Sequence, residues 1–217
     1  KIALATGVEN LLATYAAVGL GNDTGISMVG ESYGVLQHRT RWSDFEIATL
    51  SFGYGLTATT LQLAQAYSVI ANGGVYRPLT ILRREEGQLP PGERVVAADN
   101  AEAVLLMLEQ VVADGSAKNA RVPGYRVAGK TGTARKAIAG GYGDEYVTLF
   151  AGVAPVSDPR IAVVVTINEP SGDDYYGSTV SAPIFAEIVG DALRAMNVAP
   201  DHMEDTQLRV AGFGGAQ

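Results

Sequence analysis

Residues 130–133 combine a cation, two hydroxyls and a glycine in a spacing that suits the binding of an anion. The run is Lys130, Thr131, Gly132 and Thr133. Alternate side chains of a β-strand share one face, so a strand here would present Thr131, Thr133 and Arg135 together. Two hydroxyls and a guanidinium are good donors to a carboxylate. If the strand lies at a sheet edge, the backbone N–H of Thr133 is also free to stabilise an oxyanion.

The same run has an ordinary structural interpretation as well. Threonine is favoured in strands and a lone glycine often marks a bulge, so an edge strand without chemistry also fits these residues. Lys130 and Gly132 would lie on the face opposite Thr131, from which the long lysine stem can still carry its ammonium group beneath a cleft. Other segments have to distinguish these two interpretations.

Composition excludes several classes of function. The chain has 217 residues, 47% of them hydrophobic, which is enough for a sizeable core. A net charge of −7 without a basic stripe argues against a nucleic-acid partner. Without cysteine there are no disulfides or thiolate metal sites, and His38 and His202 lie far apart in polar segments and are expected at the surface. A Ser-His-Asp triad or a histidine-based metal site is therefore not expected.

Acidic residues in two loops are the remaining candidates for a metal site. Asp173 and Asp174 lack a third convergent ligand, and Asp23 has no acidic neighbour at calcium-loop spacing. All three are interpreted as loop acids, so neither a metal nor a cofactor is expected.

Periodicity and capping signals predict the elements that must position residues 130–133. Helices are predicted from 6 to 19 or 21, and over 57–71, 100–112 and 180–196. Strands are predicted over 124–135, 146–155 and 160–168, and loops over 21–48 and 84–98. Thr6 and Glu9 have capping-box spacing, Asn100 is an N-cap candidate, and Pro183 is tolerated in a first helical turn. No run reaches the length of a bilayer-spanning helix. Helices followed by an antiparallel sheet and a closing helix indicate an α+β fold.

Several segments, in the same order along the chain, resemble those of one known family. They are residues 48–56, 61–67, 72–74, 122–125, 128–136, 150–152, 158–161 and 181–185. With these segments the chain resembles the C-terminal part of the transpeptidase domain of class B penicillin-binding proteins, most closely the septal type of Gram-negative bacteria. The resemblance implies the penicillin-binding and serine β-lactamase-like fold, an antiparallel sheet with packed helices. It covers residues 1–200 and leaves 201–217 as a poorly ordered tail.

The resemblance also implies that the nucleophile lies upstream of this chain. The family's S-x-x-K motif supplies the nucleophilic serine and its lysine, and an S-x-N motif follows. No serine in this chain has a lysine three positions later, and Lys1 resembles the residue shortly after the S-x-N motif. The chain alone is therefore expected to be inactive without an upstream half of the same protein.

The activity implied by the resemblance is D,D-transpeptidation of peptidoglycan stem peptides that end in D-Ala-D-Ala. An upstream serine would form an acyl-enzyme, which β-lactam antibiotics would trap. The implied catalytic residues are Lys130, Thr131, Gly132 and Thr133, and the implied substrate-binding residues are Arg135, Tyr54, Tyr146, Tyr175 and Tyr176. The amide of Thr133 would stabilise the oxyanion, and the hydroxyls would hold the terminal carboxylate. The last three tyrosines would form an aromatic wall, and Tyr54 would be a further cleft residue. Each tyrosine can equally pack with its hydroxyl at a polar rim, and Arg135 can be a plain surface charge.

The implied setting is septal cell-wall synthesis at the periplasmic face of the bacterial inner membrane. The anchor would be an upstream transmembrane helix, and the partners would include division proteins. Two other interpretations stay open from the residues. One is a serine β-lactamase or D-alanyl-D-alanine carboxypeptidase, in which water replaces the acceptor amine, and the other is a non-catalytic penicillin-binding-like module.

Overall fold

Two compact units make up the chain, Lys1–Ala98 and Asp99–Gln217. The computed structural model describes residues 1–37, 39–85, 87–172 and 174–202. The predicted tail lies outside the described residues from 203 onward, and so does His38. Within the described ranges, no helix has both the length and the apolar character that crossing a membrane requires.

The first unit consists of helices joined by structured loops. Its elements are α1 (Ile2–Thr6), α2 (Val8–Ala17), β1 (Val35–Leu36), α3 (Asp44–Leu50), β2 (Leu56–Thr57), α4 (Thr60–Ala71), β3 (Val75–Tyr76) and β4 (Glu93–Arg94). Antiparallel pairs form between β1 and β2 and between β3 and β4. Gln62 of α4 is fully buried, and its amide donates to the carbonyls of Asn22 and Tyr33, both at 2.8 Å. A helix side chain therefore satisfies the backbone of the loop that follows α2.

Several predictions for the first unit are wrong in detail. The first helix is broken at Gly7, whose φ of 85° is left-handed, and the second helix starts there without a side-chain cap from Thr6. The predicted loop 21–48 contains most of α3, which Ser43 and Glu46 open with a capping box. The predicted loop 84–98 contributes β4. The helix predicted from 57 starts three residues later, at Thr60, because Thr59 and Gln62 form the capping box there.

The second unit consists of an antiparallel sheet and two long helices. Its elements are α5 (Ala98–Ala113, whose first residue belongs to the first unit), a 3₁₀ turn (Lys118–Ala120), β5 (Ala128–Ile138), β6 (Gly141–Ala154), β7 (Ile161–Asn168) and α6 (Ser181–Ala195). The strand order is β5-β6-β7. Helices beside an antiparallel sheet make the fold α+β, as the sequence predicts.

The core of the second unit lies between one face of the sheet and α6. Phe150 of β6 and Phe185 of α6 are fully buried, with ring centroids 4.5 Å apart. Gly129 lies opposite Gly152 in the β5–β6 register. An added Cβ on Gly129 would come within 2.4 Å of the Phe150 ring, and one on Gly152 within 2.8 Å of both phenylalanine rings. The paired glycines therefore make the recess that the two aromatic rings fill.

Three boundaries in the second unit differ from the prediction. Residues 124–127 are not strand, because the N–H of Tyr125 turns back to the Val122 carbonyl at 3.0 Å after Gly124, whose φ is 85°. The helix predicted from Asn100 starts at Ala98, so Asn100 lies inside it. The strand predicted from 146 begins at Gly141, because a β5–β6 hairpin extends both strands.

The last described residues are tied to the loop before β5. The carboxylate of Asp201 accepts the backbone N–H of Arg126 at 2.7 Å and the hydroxyl of Ser157 at 2.8 Å. The hydroxyl of Tyr125 donates to the Val198 carbonyl at 2.6 Å. These bonds fix the segment from which the chain enters β5.

Candidate active site at the edge strand β5

The predicted run lies on β5, which is continuous in register from Ala128 to Arg135. Thr131, Thr133 and Arg135 therefore share one face of the sheet. That is the face of Phe150, which lies opposite Thr131, and of Thr148, which lies opposite Thr133. Within the described residues β5 pairs with β6 alone, so it is an edge strand of the sheet.

The backbone N–H of Thr133 points to the free edge of β5. The β6–β7 ladder continues to Tyr146 and Glu169, where the Glu169 N–H donates to the Tyr146 carbonyl at 2.9 Å. Hydrogen-bonded and non-hydrogen-bonded pairs alternate along an antiparallel ladder, so the backbone groups of Thr148 also point toward β7. Thr133, its partner on β5, therefore directs its N–H and C=O away from the sheet. This is the orientation that an oxyanion donor needs.

Lys130 brings its ammonium group to the same edge. Its Nζ donates to the carbonyl oxygen of Thr131 at 3.1 Å and to the Thr131 hydroxyl at 3.3 Å. The side chain is exposed, and no carboxylate in the described ranges forms an ion pair with it. The cation is therefore available to an anionic group that approaches the edge.

Arg135 and two tyrosines form a stacked group beyond Thr133. The Arg135 Nε donates to the Tyr146 hydroxyl at 3.0 Å, and the guanidinium carbon lies 5.5 Å from the centre of the Tyr146 ring. Tyr146 stacks on Tyr175 with centroids 4.0 Å apart and planes at 17°. Asp144 lies 3.5 Å from the guanidinium. The hydrogen bond to Tyr146 raises the pKa of Arg135, so the cation persists at any physiological pH.

Tyr176 continues this aromatic group at the surface. Its ring centroid lies 4.6 Å from that of Tyr175, and the two hydroxyls are 3.3 Å apart. Their hydrogen bond raises the pKa of Tyr175 above its usual value. The structure thus brings Tyr146, Tyr175 and Tyr176 together beside Arg135.

Gly177, which belongs to none of the sequence motifs, contacts the predicted run directly. Its N–H donates to the Oγ1 of Thr133 at 3.2 Å. Thr148 and Ser181 lie beside it, both fully buried, with their hydroxyl oxygens 3.4 Å apart. The sequence does carry a signal for this contact. A glycine follows two tyrosines and precedes a helix, and such a glycine often marks a point where two backbone segments come close.

Three other candidates from the sequence are Tyr54 and Asp23, which belong to the first unit, and Asp173. Tyr54 belongs to the first unit, where its ring meets that of Phe52 edge-on with centroids 5.8 Å apart. Its role stays a prediction. The carboxylate of Asp23 accepts the N–H of Gly25 at 2.6 Å and so shapes its own turn. In the described part of the chain, no three acidic or histidine side chains are grouped to hold a metal ion, and Asp173 lies outside that part.

Residues 1–190 match the model of the penicillin binding protein transpeptidase domain. The chain belongs to this family. Peptidoglycan D,D-transpeptidase FtsI of Escherichia coli (strain K12) is 47% identical over 203 residues, which are 93% of this chain and 34% of that protein. The probable peptidoglycan D,D-transpeptidase PenA of Neisseria gonorrhoeae is 37% identical over 202 residues, 92% of this chain and 34% of that protein.

A solved structure supports the same family fold. The apo structure of the TP domain from Burkholderia pseudomallei penicillin-binding protein 3 matches with a TM-score of 0.87 and 42% identity. The match covers 92% of this chain and 61% of that domain chain. The chain spans about a third of the length of the curated relatives it matches, so it corresponds to part of a transpeptidase domain.

Proposed function

We propose that this chain forms the β5 side of the active site of a peptidoglycan D,D-transpeptidase. A serine from an upstream segment of the same protein attacks the penultimate carbonyl of a stem peptide ending in D-Ala-D-Ala. The C–N bond breaks, D-alanine leaves with a proton, and the serine holds the acyl group. An amine of a neighbouring stem peptide then takes the acyl group and restores the serine hydroxyl.

The observation that carries this proposal is the outward N–H of Thr133 on an edge strand, in a chain that belongs to the transpeptidase family. An oxyanion that forms at this edge meets a donor that is already oriented. Loss of one such donor costs about a hundred- to a thousandfold in turnover. The nucleophile's own N–H would supply the second donor.

The side chains around that N–H suit the terminal carboxylate of the substrate. The hydroxyls of Thr131 and Thr133 share a face and can donate to the terminal carboxylate. Arg135 lies on the same face and adds a guanidinium. Gly132 lies opposite Leu149, and an added Cβ there would come within 3.0 Å of the Leu149 side chain. A glycine at this position leaves room for the Leu149 side chain.

Lys130 is placed to act on protons and charge at the edge. Its ammonium reaches the Thr131 carbonyl and hydroxyl. There it favours the deprotonated form of a neighbouring hydroxyl and so supports proton transfer between the upstream serine groups and the substrate. Tyr146, Tyr175 and Tyr176 supply an apolar and aromatic surface for the part of the substrate before the scissile bond, and Tyr54 is a further candidate from the first unit.

The first test is covalent labelling of the full-length protein that contains this chain. Intact-mass spectrometry with benzylpenicillin is expected to find one stable drug equivalent, attached to a serine outside these 217 residues. Lys130→Ala should slow labelling by at least about a hundredfold. Lys118→Ala, which removes an exposed lysine of the same unit, should leave the rate unchanged. A full-length protein that stays unlabelled would contradict the proposal.

The lifetime of the drug adduct distinguishes a transpeptidase from a β-lactamase. A transpeptidase holds the penicilloyl group for a long time, whereas a β-lactamase has a base that releases it quickly by water attack. Release within seconds, with turnover of the drug, would replace the transpeptidase proposal by the hydrolase. A degenerate upstream sequence without a serine–lysine pair would instead favour a non-catalytic module.

We place this activity in septal cell-wall synthesis, at the periplasmic face of the inner membrane and among division proteins. The support is the similarity to relatives named FtsI. The anchor would be a transmembrane helix upstream of this chain. A fluorescent fusion of the full-length protein should concentrate at the division site, and an even distribution along the cell wall would instead indicate a role in elongation.

A further inference from the structure

Gly177 holds the hydroxyl of Thr133 from outside the sheet. The Gly177 N–H donates to Thr133 Oγ1 at 3.2 Å across 44 residues of sequence. Gly177 is buried, whereas the Thr133 side chain is exposed. The bond therefore joins a fixed donor to the hydroxyl of an exposed side chain.

The fit of Gly177 over the sheet requires a glycine. An added Cβ would lie 2.5 Å from the carbonyl oxygen of Leu149 and 2.8 Å from that of Gly132. Both neighbours are backbone atoms of the β5–β6 ladder, so neither can rotate away. An alanine here would lift the segment off the strand and lengthen the bond to Thr133.

The segment around Gly177 is itself anchored on both sides. The carbonyl of Gly177 accepts the N–H groups of Ser181 at 3.2 Å and Ala182 at 2.9 Å, which joins it to the first turn of α6. The Asn119 side chain donates to the Ser178 carbonyl at 2.8 Å. The position of the Gly177 N–H is thus set by the packed part of the unit.

The direction of this bond determines what the Thr133 hydroxyl can do. Because Oγ1 accepts the Gly177 N–H, one lone pair is used and the rotamer of Thr133 is fixed. The hydroxyl proton must then point away from Gly177 and remains available to an acceptor. A carboxylate, which only accepts hydrogen bonds when ionised, is the partner that this arrangement favours.

We propose that Gly177 is a positioning residue that orients the Thr133 hydroxyl as a donor to the substrate carboxylate. The inference rests on the proposed transpeptidase function. It assigns to Gly177 part of the enzyme's specificity for substrates with a carboxylate. Gly177 acts through Thr133 and does not itself touch the substrate.

The test compares a penicillin with and without its carboxylate. Acylation of the full-length protein by benzylpenicillin and by its methyl ester gives a ratio that reports on carboxylate recognition. Gly177→Ala should lower this ratio about tenfold, because an oriented hydrogen bond to a charged group contributes about one such factor. Gly172→Ala is the matched control, since among the described residues the nearest atom to its added Cβ is the Asp174 nitrogen, at 3.8 Å. It should leave the ratio unchanged.

A second variant covers the case in which Gly177→Ala does not fold. Asn119→Ala removes the bond to the Ser178 carbonyl without placing an atom on the sheet, and it should lower the ratio about two- to threefold. In a Thr133→Val background, which lacks the acceptor hydroxyl, both effects should disappear.

The outcomes separate this inference from the function on which it rests. If Gly177→Ala slows both probes equally, or if its effect on the ratio persists in Thr133→Val, the glycine is structural and the inference is wrong while the transpeptidase proposal stands. If the unmodified protein is not acylated by benzylpenicillin at all, the proposed function itself fails.

Discussion

The two ends of β5 differ in burial and polarity although one continuous strand joins them. At the end that begins with Ala128, Gly129 lies beneath Phe150, and both Ala128 and Phe150 are fully buried. At the other end Thr133 and Arg135 are exposed and contact polar or aromatic groups. The strand is part of the core at Ala128 and Gly129 and part of the candidate site from Lys130 to Arg135.

This difference explains how an exposed strand edge can be well positioned. A buried aromatic pair fixes the register of β5 and β6 at one end, and a ladder with a fixed register determines the direction of every N–H along it. Stability and chemistry therefore depend on different residues of the same strand. Substitutions at the two ends should separate these properties.

Phe185→Ala should have the largest effect, at the buried end. Removal of a fully buried phenylalanine typically lowers the free energy of unfolding by about 3–5 kcal/mol. Urea denaturation followed by circular dichroism measures this change. Ile184→Ala on the same helix, where the residue is 38% exposed, is the control and should cost about 1 kcal/mol. Equal losses for both would mean that the aromatic pair does not organise this end.

Gly129→Ala adds a methyl group to the same recess. The new Cβ would lie 2.4 Å from the Phe150 ring and 2.7 Å from the Ala151 carbonyl oxygen, and overpacking of this kind costs about 1–3 kcal/mol. The same denaturation experiment applies. Gly172→Ala is expected to stay within about 0.5 kcal/mol of the parent, and a comparable loss there would contradict the steric explanation.

Thr133→Val tests the exposed end of the strand. Valine keeps the shape and the β-propensity but removes the hydroxyl that accepts the Gly177 N–H. We expect the free energy of unfolding to fall by no more than about 1 kcal/mol, whereas penicillin acylation of the full-length protein falls about tenfold or more. A stability loss as large as that of Gly129→Ala would show that the two ends are not separable.

Tyr146→Leu tests the aromatic group beside Arg135. The change removes a ring stacked on Tyr175 and the acceptor of the Arg135 Nε, which should cost about 0.5–1.5 kcal/mol in stability. Tyr146→Phe keeps the stack and removes the acceptor alone, so it should cost less. If the phenylalanine variant is as unstable as the leucine variant, the hydrogen bond rather than the stack holds this group.

Tyr176→Phe should change a titration more than it changes stability. The hydrogen bond with Tyr176 is the main cause that raises the pKa of Tyr175 above 10.0, so its removal should lower that pKa. A group with a raised folded pKa stabilises the protein below its unfolded pKa and loses this contribution as the pH rises through the folded value. The variant should therefore lose this pH dependence above about pH 10, and NMR titration of labelled tyrosines measures it. An unchanged Tyr175 pKa would contradict the hydrogen-bond assignment.

Local spacing in the sequence determined much of the scaffold. The alternation of Thr131, Thr133 and Arg135 follows from strand geometry alone, and the periodicity of apolar residues located α4 and α6 to within three residues of their observed ends. These features depend on residues that are neighbours in the chain. The break at Gly7 and the helix α3 were missed because one glycine conformation and one capping box outweighed the weak periodicity there.

Only the tertiary structure decided which groups meet the predicted run. The bond from Gly177 to Thr133 joins residues 44 positions apart, and the stack of Tyr146 on Tyr175 joins two different segments. The outward direction of the Thr133 N–H depends on which residue pairs of the β5–β6 ladder are hydrogen-bonded and which are not, and we call this alternation the phase of the ladder. No short-range pattern encodes that phase, because it is fixed by the packing of distant side chains. The sequence thus determined which residue types are available on β5, and the packed sheet decided where their donors point.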